Sequence, residues 1–440
     1  MIYLSLGSNQ GNRLAYLRKA VMELEKYGFT VSEESIVLET KALLPANAPE
    51  SWDMPYLNMI VAGHTTKSPL ELLSDLKAIE VLCGRDKLRT KWAPRPIDID
   101  ILLWDNHNFE LSDLKVPHPQ LLSRPFLIHL LAMMDVQYCC QEVDSNYYGM
   151  NFAQIAHQNV RVEECFLRSL VLNPKLVAIV NVTPDSFSDG GLYLDPQVAM
   201  QKILALSEEG AYIIDIGAQS TRPNAIMVGA EEEWRRLQPV LQNIKQWQES
   251  GYQLTISIDS FLPEVIRRAI IEYEVAWIND QKGSLDDHSL KFIADHGCNI
   301  VVMHSLSIPP DKNNCVDFNV SPIDTILLWA EKIIARLIAC GFTRQQIILD
   351  PGIGFGKSIY QNLILFRTIQ KLKELECQIF IGHSRKSYMT SFCKAEAIDR
   401  DIETLAVSQE LCQLGVDYLR VHDIEKHQRF FVAKKAVFNR

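Results

Sequence analysis

From residue 176 to the C-terminus the chain repeats one rhythm, and that rhythm leaves few folds open. Apolar runs recur at 176–181, 212–217, 254–259, 275–280, 299–304, 346–350, 378–383 and 418–422. Most are separated by stretches long enough for one helix and two loops. Strands that are apolar throughout bury both faces, and in alternation with amphipathic helices they build a parallel sheet. Eight such units in about 265 residues predict a (β/α)8 barrel. Each run turns polar at its end, at Asn181, Asp215, Asp259, Asn279-Asp280, His304, Asp350, His383 and His422. Active sites of such barrels are built where strands end. One polar strand end is more often a cap or a turn residue, but a full set in register points to a polar site.

The first 135 residues follow a different pattern. An apolar strand over 2–6 breaks at Gly7-Ser8-Asn9, and Leu14, Leu17, Val21 and Leu24 then recur at helical spacing up to Gly28. Residues 31–38, 56–65 and 97–103 read as strands. Ser68-Pro69 opens a helix with Leu70, Leu73, Leu76 and Ile79 along it, and a last helix falls near 125–133. The order β-α-β-β-α-β-α predicts an antiparallel sheet with helices on one face, a ferredoxin-like α+β domain. Residues 136–174 carry no clear period. The expected organisation is therefore α/β multidomain: a ferredoxin-like domain over 1–160, a linker over 161–174, and a TIM barrel over 175–440.

Composition narrows the partners. With 44 Lys+Arg against 54 Asp+Glu the net charge is -10, and no basic arm is present, so nucleic acid is not an expected partner. No apolar run approaches the ~18 residues of a membrane span. No charged leader precedes the opening MIYLSLGS, and the 10 cysteines show no CxxC pairing, which reads as reduced thiols in a cytoplasmic protein.

Chemistry concentrates in two places. Arg85, Lys87, Arg89, Lys91 and Arg95 surround Trp92, and Asp98 and Asp100 follow on the third apolar strand of the first domain. Carboxylates at i and i+2 share one strand face. Mg²⁺ is commonly held by one or two carboxylates plus substrate phosphates, and guanidinium groups grip phosphate oxygens. Either half alone reads as a solvated loop or an edge strand. Together they suggest phosphoryl transfer. In the barrel, Asp350 to Ser358 imitates a P-loop, but Pro351 stands where the first glycine is required. Arg222, Arg420 and His422 could converge on an anion, and Asp259, Asn279 and Asp350 could read a flat heterocycle rich in N–H groups. For each of these alone, an ion pair or a cap is an equal reading.

The stretch Trp92-Ala93-Pro94-Arg95-Pro96-Ile97-Asp98-Ile99-Asp100-Ile101-Leu102-Leu103 resembles the signature of 6-hydroxymethyl-7,8-dihydropterin pyrophosphokinases. Leu6-Gly7-Ser8-Asn9, Tyr56-Leu57-Asn58, Gly84-Arg85 and Val116-Pro117-His118-Pro119 match its other landmarks. The resemblance implies transfer of pyrophosphate from ATP to the pterin hydroxymethyl group with release of AMP. It gives Asp98 and Asp100 two Mg²⁺ ions, and sets Arg85, Arg95, Trp92, His118 and Arg124 at the ATP. Asn58 would bond the pterin edge, with Tyr56 and Phe126 packing on its ring. Ala93 and Lys41 depart from the usual Gly and Pro.

The barrel resembles dihydropteroate synthases, which condense the pterin pyrophosphate with p-aminobenzoate and are sulfonamide targets. That resemblance assigns Asp259, Asn279, Asp350 and Lys386 to the pterin, and Arg222, Arg420 and His422 to the pyrophosphate. Asn181 would help to hold one Mg²⁺. Phe187, Thr221, Pro223, Phe355 and Ser387 would line the p-aminobenzoate pocket. It also leaves room for a homodimer through the barrel. Gln219 and Asn224 replace the usual Glu and Gly, which bears on loop closure and drug response. The product of the first activity is the substrate of the second. The rival readings are a pterin-dependent methyltransferase barrel and a non-catalytic pterin- or nucleotide-binding module.

Overall fold

The computed structural model describes the chain except for residues 46, 87–91, 142–144, 184–194, 220–226, 312 and 439–440. It divides into two compact units, Met1–Leu172 with Gln428–Arg440, and Asn173–His427.

The first unit is built on a six-stranded sheet of β1 (Ile2–Ser8), β2 (Thr30–Glu34), β3 (Val37–Thr40), β4 (Tyr56–His64), β5 (Asp98–Trp104) and β8 (Arg168–Leu170), with a small hairpin of β6 (Phe109–Glu110) and β7 (Lys115–Val116). Strands run in the order β5-β1-β4-β3-β8, with β2 also on β4, and every pairing is antiparallel. Helices α1 (Arg13–Lys26) and α2 (Pro69–Leu82) bury Leu14, Leu17, Leu24, Leu72, Leu76 and Ile79 against Leu4, Leu6, Ile99 and Ile101 of the sheet. Ser68 starts α2 with a capping box closed by Glu71, as its Ser-Pro-x-Glu spelling dictates. The strand alternation leaves Ser5, Gly7, Asp98 and Asp100 on the other side, where they line a cavity. Gly7 lies opposite Asn58 in β4 and Asp98 in β5. A Cβ there would sit 3.0 Å from Asn58 Oδ1, so glycine keeps this point of the cavity floor open.

Two expectations are corrected here. The strand expected over 31–38 is split into β2 and β3, because Ser35 breaks the ladder with its own side chain: its Oγ accepts from the Ile60 N–H (2.8 Å) and donates to the Ile36 carbonyl (2.6 Å). The segment expected as a linker is largely structured. Beyond α3 (Pro125–Met133) and α4 (Phe152–Asn159) come α5 (Val162–Cys165) and β8. β8 pairs with β3, Arg168 forms an ion pair with Glu39, and Leu170 and Leu172 are buried in the core. Gln428 clamps the next peptide, accepting from the Val171 N–H (2.8 Å) and donating to its carbonyl (3.3 Å).

The second unit is a closed parallel barrel of β9 (Lys175–Asn181), β10 (Ile213–Gly217), β11 (Ile256–Asp259), β12 (Trp277–Asp280), β13 (Asn299–Met303), β14 (Ile347–Asp350), β15 (Gln378–Gly382) and β16 (Tyr418–Val421), with β16 returning to β9. Each expected strand is present. Around them run α6 (Pro196–Glu208), α7 (Ala230–Glu249), α8 (Pro263–Glu272), α9 (Asp287–Asp295), α10 (Pro322–Ala339), α11 (Ile359–Thr368) and α12 (Asp401–Gln413). The last helix of the chain is α13 (Ile424–Phe438). Val177, Ile213, Trp277, Val301, Ile348, Phe380 and Tyr418 pack together as a buried hydrophobic cluster of the barrel. No described helix is long and apolar enough to cross a membrane.

Candidate active sites

The cavity of the first unit measures about 490 Å³ and is lined by Tyr56, Asn58, Lys77, Arg85, Trp92, Arg95, Asp98, Asp100, His118, Arg124 and Phe126, among others. Asp98 is its electrostatic centre. Arg85 Nη1 donates to Asp98 Oδ1 (2.5 Å) and Arg95 Nη1 to Oδ2 (3.0 Å). Burial disfavours the charged form of Asp98, but the Arg95 and Arg85 guanidiniums outweigh it and hold the carboxyl below the ordinary range. Asp100 is displaced upward, first by burial and then by the neighbouring Asp98 charge. Burial pushes His118 down, against the pull of Asp100. Its Nδ1 accepts from the Gln120 N–H (3.1 Å), so the neutral ring carries its proton on Nε2.

Two further residues carry this geometry: Glu80, which was not singled out from the sequence, and Asn9, which was read there only as part of the Leu6-Gly7-Ser8-Asn9 landmark. Glu80, almost fully buried on α2, accepts from Arg85 (2.7 Å), Lys77 (2.9 Å) and the Ile99 N–H (2.8 Å), the peptide between the two aspartates. Its signal was a charged residue inside the apolar stripe of a helix. Asn9 holds the backbone of Arg95 from both sides, through Oδ1 to the Arg95 N–H (2.8 Å) and its own N–H to the Arg95 carbonyl (3.2 Å). Asn58 donates to Thr40 Oγ1 (2.8 Å), which fixes the orientation of its amide. Lys87, Arg89 and Lys91 of the basic run lie outside the described residues.

In the barrel the strand ends gather Asp215, Asp259, Asn279 and Arg420. Arg420 Nε donates to Asp215 Oδ2 (2.7 Å) and its Nη2 to Asp259 Oδ2 (2.9 Å). Asn279 Nδ2 reaches Asp215 Oδ2 (3.0 Å) and Ser257 Oγ reaches Oδ1 (2.6 Å). Asp215 thus joins β10 to β11, β12 and β16. Its polar strand-end position was visible in the sequence, but its central role was not. Burial and then the Asp215 charge displace Asp259 upward, with Arg420 opposing.

A second group surrounds the loop after β14. Lys386 Nζ donates to the Ile353 carbonyl (2.6 Å) and lies 4.8 Å from the centroid of the Phe355 ring. Burial lowers its ammonium to about 8, with Asp350 pulling the other way. Asp350 is itself displaced upward by burial, with Lys386 opposing, and its Oδ1 accepts from the Gly352 N–H (2.7 Å). Lys357, at the end of the P-loop imitation, turns inward to the carbonyls of Gly352 (3.0 Å), His304 (3.1 Å) and Phe355 (2.8 Å). It therefore splints its own loop, and Ser358 caps α11. His422 Nδ1 lies 2.9 Å from Ser384 Oγ, and Asn181 ends β9 beside Gly217. Gln219 Oε1 accepts from the Val228 N–H (2.9 Å). Phe187, Thr221, Arg222, Pro223 and Asn224 lie outside the described residues.

The family comparisons fall on these two sites in turn. Residues 3–136 match the 7,8-dihydro-6-hydroxymethylpterin-pyrophosphokinase family model, and residues 177–422 match that of the pterin binding enzymes. A folate synthesis bifunctional protein of Chlamydia caviae is 41% identical over 434 residues, covering 98% of this chain and 97% of its own. The chain belongs to the bifunctional folate-synthesis family. An Arabidopsis thaliana member is 30% identical over 456 residues, covering 96% of this chain and 93% of its own. The Yersinia pestis dihydropteroate synthase, solved with a sulfonamide drug complex, is 29% identical with a TM-score of 0.56 over 62% of this chain and 98% of that one. An HPPK-DHPS structure in complex with substrates shares the fold over 99% of both chains, with a TM-score of 0.55 at 19% identity. As a bifunctional folate-synthesis enzyme, the protein transfers pyrophosphate from ATP to 6-hydroxymethyl-7,8-dihydropterin and condenses the product with p-aminobenzoate. The methyltransferase and non-catalytic readings fall away.

Proposed function

We propose that the pyrophosphokinase reaction runs in the cavity of the first unit and the synthase reaction at the strand ends of the barrel, with the roles divided as follows. The observation that carries this reading is the pair Asp98 and Asp100 on one strand face, with Arg85 and Arg95 on Asp98, in the same cavity as Asn58, Tyr56 and Phe126. The donor set fits Mg²⁺: two hard carboxylates face one space, and the charge of Asp98 raises the cost of charging Asp100. Asp98 and Asp100 would hold the ions together with oxygens of the triphosphate, the hard donors that Mg²⁺ takes. Mg²⁺, when bound, supplies neutralisation of the triphosphate charge.

Arg85, Arg95, His118 and Arg124 bind the triphosphate and Trp92 the nucleotide, while Asn58, Tyr56 and Phe126 orient the pterin. The hydroxymethyl oxygen then attacks the β-phosphorus, the bond to the α–β bridging oxygen breaks, AMP leaves and the hydroxyl proton is lost.

In the barrel, Asp259, Asn279, Asp350 and Lys386 bind the pterin, and Arg222, Arg420 and His422 the pyrophosphate. Asn181 offers an amide oxygen, a hard donor suited to Mg²⁺. Arg420, held by Asp215 and Asp259, exchanges part of that pairing for the incoming pyrophosphate. Phe187, Thr221, Pro223, Phe355 and Ser387 enclose p-aminobenzoate. The methylene C–O bond breaks, pyrophosphate leaves, the aniline nitrogen bonds the methylene and loses a proton. The enzyme works in the cytoplasm as a homodimer through its barrels, apart from membranes and nucleic acid.

Mass-spectrometric detection of dihydropteroate from 6-hydroxymethyl-7,8-dihydropterin, ATP, Mg²⁺ and p-aminobenzoate, with this chain alone, tests the whole scheme. Dihydropteroate together with AMP is expected. Pterin pyrophosphate accumulating without dihydropteroate would mean that the departures at Gln219 and Asn224 have cost the barrel its synthase activity.

A further inference from the structure

Behind the barrel site four buried side chains form an unbroken hydrogen-bonded chain. Tyr388 Oη lies 3.3 Å from His383 Nδ1, and His383 Nε2 lies 3.0 Å from Ser408 Oγ. Ser408 Oγ lies 3.1 Å from His427 Nε2, and His427 Nδ1 lies 2.6 Å from the Asp423 carbonyl. His383 and Ser408 are fully buried, and Tyr388 and His427 are each 2% exposed.

The direction of every proton follows from one end. A carbonyl only accepts, so His427 Nδ1 donates, and in a neutral ring its Nε2 must then accept. Ser408 gives its single proton to that nitrogen, leaving its oxygen to accept from His383 Nε2–H. His383 Nδ1 then accepts from the Tyr388 hydroxyl. Both imidazoles are neutral because burial disfavours their cations. Lys386 also faces His383, and Asp423, Asp401 and Arg385 face His427.

The ends of the chain lie in two site loops. His383 and Tyr388 flank Ser384–Ser387, whereas Asp423 follows His422. Helix α12 reinforces the first loop with two more groups on the same side as Ser408. Asp401 takes both arms of Arg385 (2.8 and 3.1 Å), and Thr404 Oγ1 accepts from the Arg385 N–H (3.2 Å). Arg385 is held in the left-handed region at φ 58°, and that turn carries the chain into Lys386.

We propose that Ser408 is a positioning residue for the synthase reaction: its one hydroxyl, linking His383 to His427, keeps the loop of Lys386 and Ser387 in register with the loop of His422. The inference rests on the roles given above to those three residues.

The test uses the full chain. Nitrogen-15 NMR of the imidazoles should find His383 protonated on Nε2 and His427 on Nδ1, with His383 not titrating between about pH 5 and 8. The opposite tautomer at either ring overturns the proposal without any variant. Ser408→Ala should raise the KM values for p-aminobenzoate and pterin pyrophosphate about tenfold, with kcat within about twofold, the scale of one lost buried hydrogen-bond pair. It should also release the fixed Nε2–H tautomer of His383, seen as mixed nitrogen-15 imidazole signals, and Ser408→Thr should restore both properties. A kcat within about twofold itself reports that the barrel is folded. His427→Leu, which breaks the chain from its other side, should raise the same two KM values. Unchanged KM values in both Ser408→Ala and His427→Leu overturn the proposal. If Lys386→Ala also leaves them unchanged, the site assignment itself has failed. If Lys386→Ala is defective, only the role of Ser408 has failed.

Discussion

The two active sites handle charge in opposite ways. In the first unit the reacting face is local: Asp98 and Asp100 stand two residues apart on β5, and the arginines that meet Asp98 lie within thirteen residues of it. In the barrel, Asp215, Asp259, Asn279 and Arg420 come from β10, β11, β12 and β16, and contact one another only because the sheet closes. The local site presents carboxylates to a cavity, and the roles proposed above leave cations and phosphate to complete it. The dispersed site is compensated across four strands rather than within one stretch of chain, so its polar groups also hold the barrel together. Function and stability are therefore separable in the first unit and entangled in the second.

Substitution tests that contrast directly. Replacing Asp98 and Asp100 together by Ala should lower AMP formation by about a thousandfold or more, the scale of losing metal-assisted charge neutralisation. Synthase activity on supplied pterin pyrophosphate should stay unchanged, and a parallel fall in both activities would end the division of labour. Asp215→Ala should cost the barrel about 3 kcal/mol, because it strips Arg420, Asn279 and Ser257 of a shared buried acceptor. Denaturant unfolding measures this, and a variant of unaltered midpoint would show that the barrel site is as independent of stability as the other.

A smaller effect is expected at Glu80. Glu80→Gln keeps the volume but weakens the hold on Arg85 and the Ile99 peptide, and should lower pyrophosphokinase kcat/KM by about 10- to 100-fold with the synthase unaffected. The smallest effect is the pH profile of the synthase. Burial first, against the pull of Asp350, brings Lys386 down to about 8 from the usual 10.5, so it is charged below that pH and neutral above it. The kcat/KM for pterin pyrophosphate should therefore fall by up to about tenfold per pH unit above 8. Lys386→Arg should remove that limb, since a guanidinium stays protonated. The linkage runs in the same window: between 8 and 10.5 the unfolded chain binds the extra proton, so the contribution of Lys386 to stability rises with pH there.

How much could be read in advance follows the same contrast. The i, i+2 aspartates, the basic run before them and the period-2 and 3.6-residue patterns are short-range, so they are legible in the linear chain. The eight barrel strands were legible for a related reason: a strand buried on both faces must be apolar along its whole length. The split of the strand over 31–38 was not, because it turns on one serine hydroxyl choosing Ile60 and Ile36 as partners. Nor was β8, whose three residues carry no pattern of their own and become a strand only on the free edge of β3.

The chain order alone therefore settled the fold class, the family and which residue types stand at the strand ends. The tertiary structure decided which of those groups meet: Arg420 bridging Asp215 and Asp259, Glu80 behind Arg85, Lys357 splinting its loop, and Ser408 between two imidazoles. The reason is physical. Patterns of burial are periodic and written along the chain, whereas a hydrogen bond between residues as far apart as Asp215 and Arg420, separated by 205 positions, exists only once the barrel has closed.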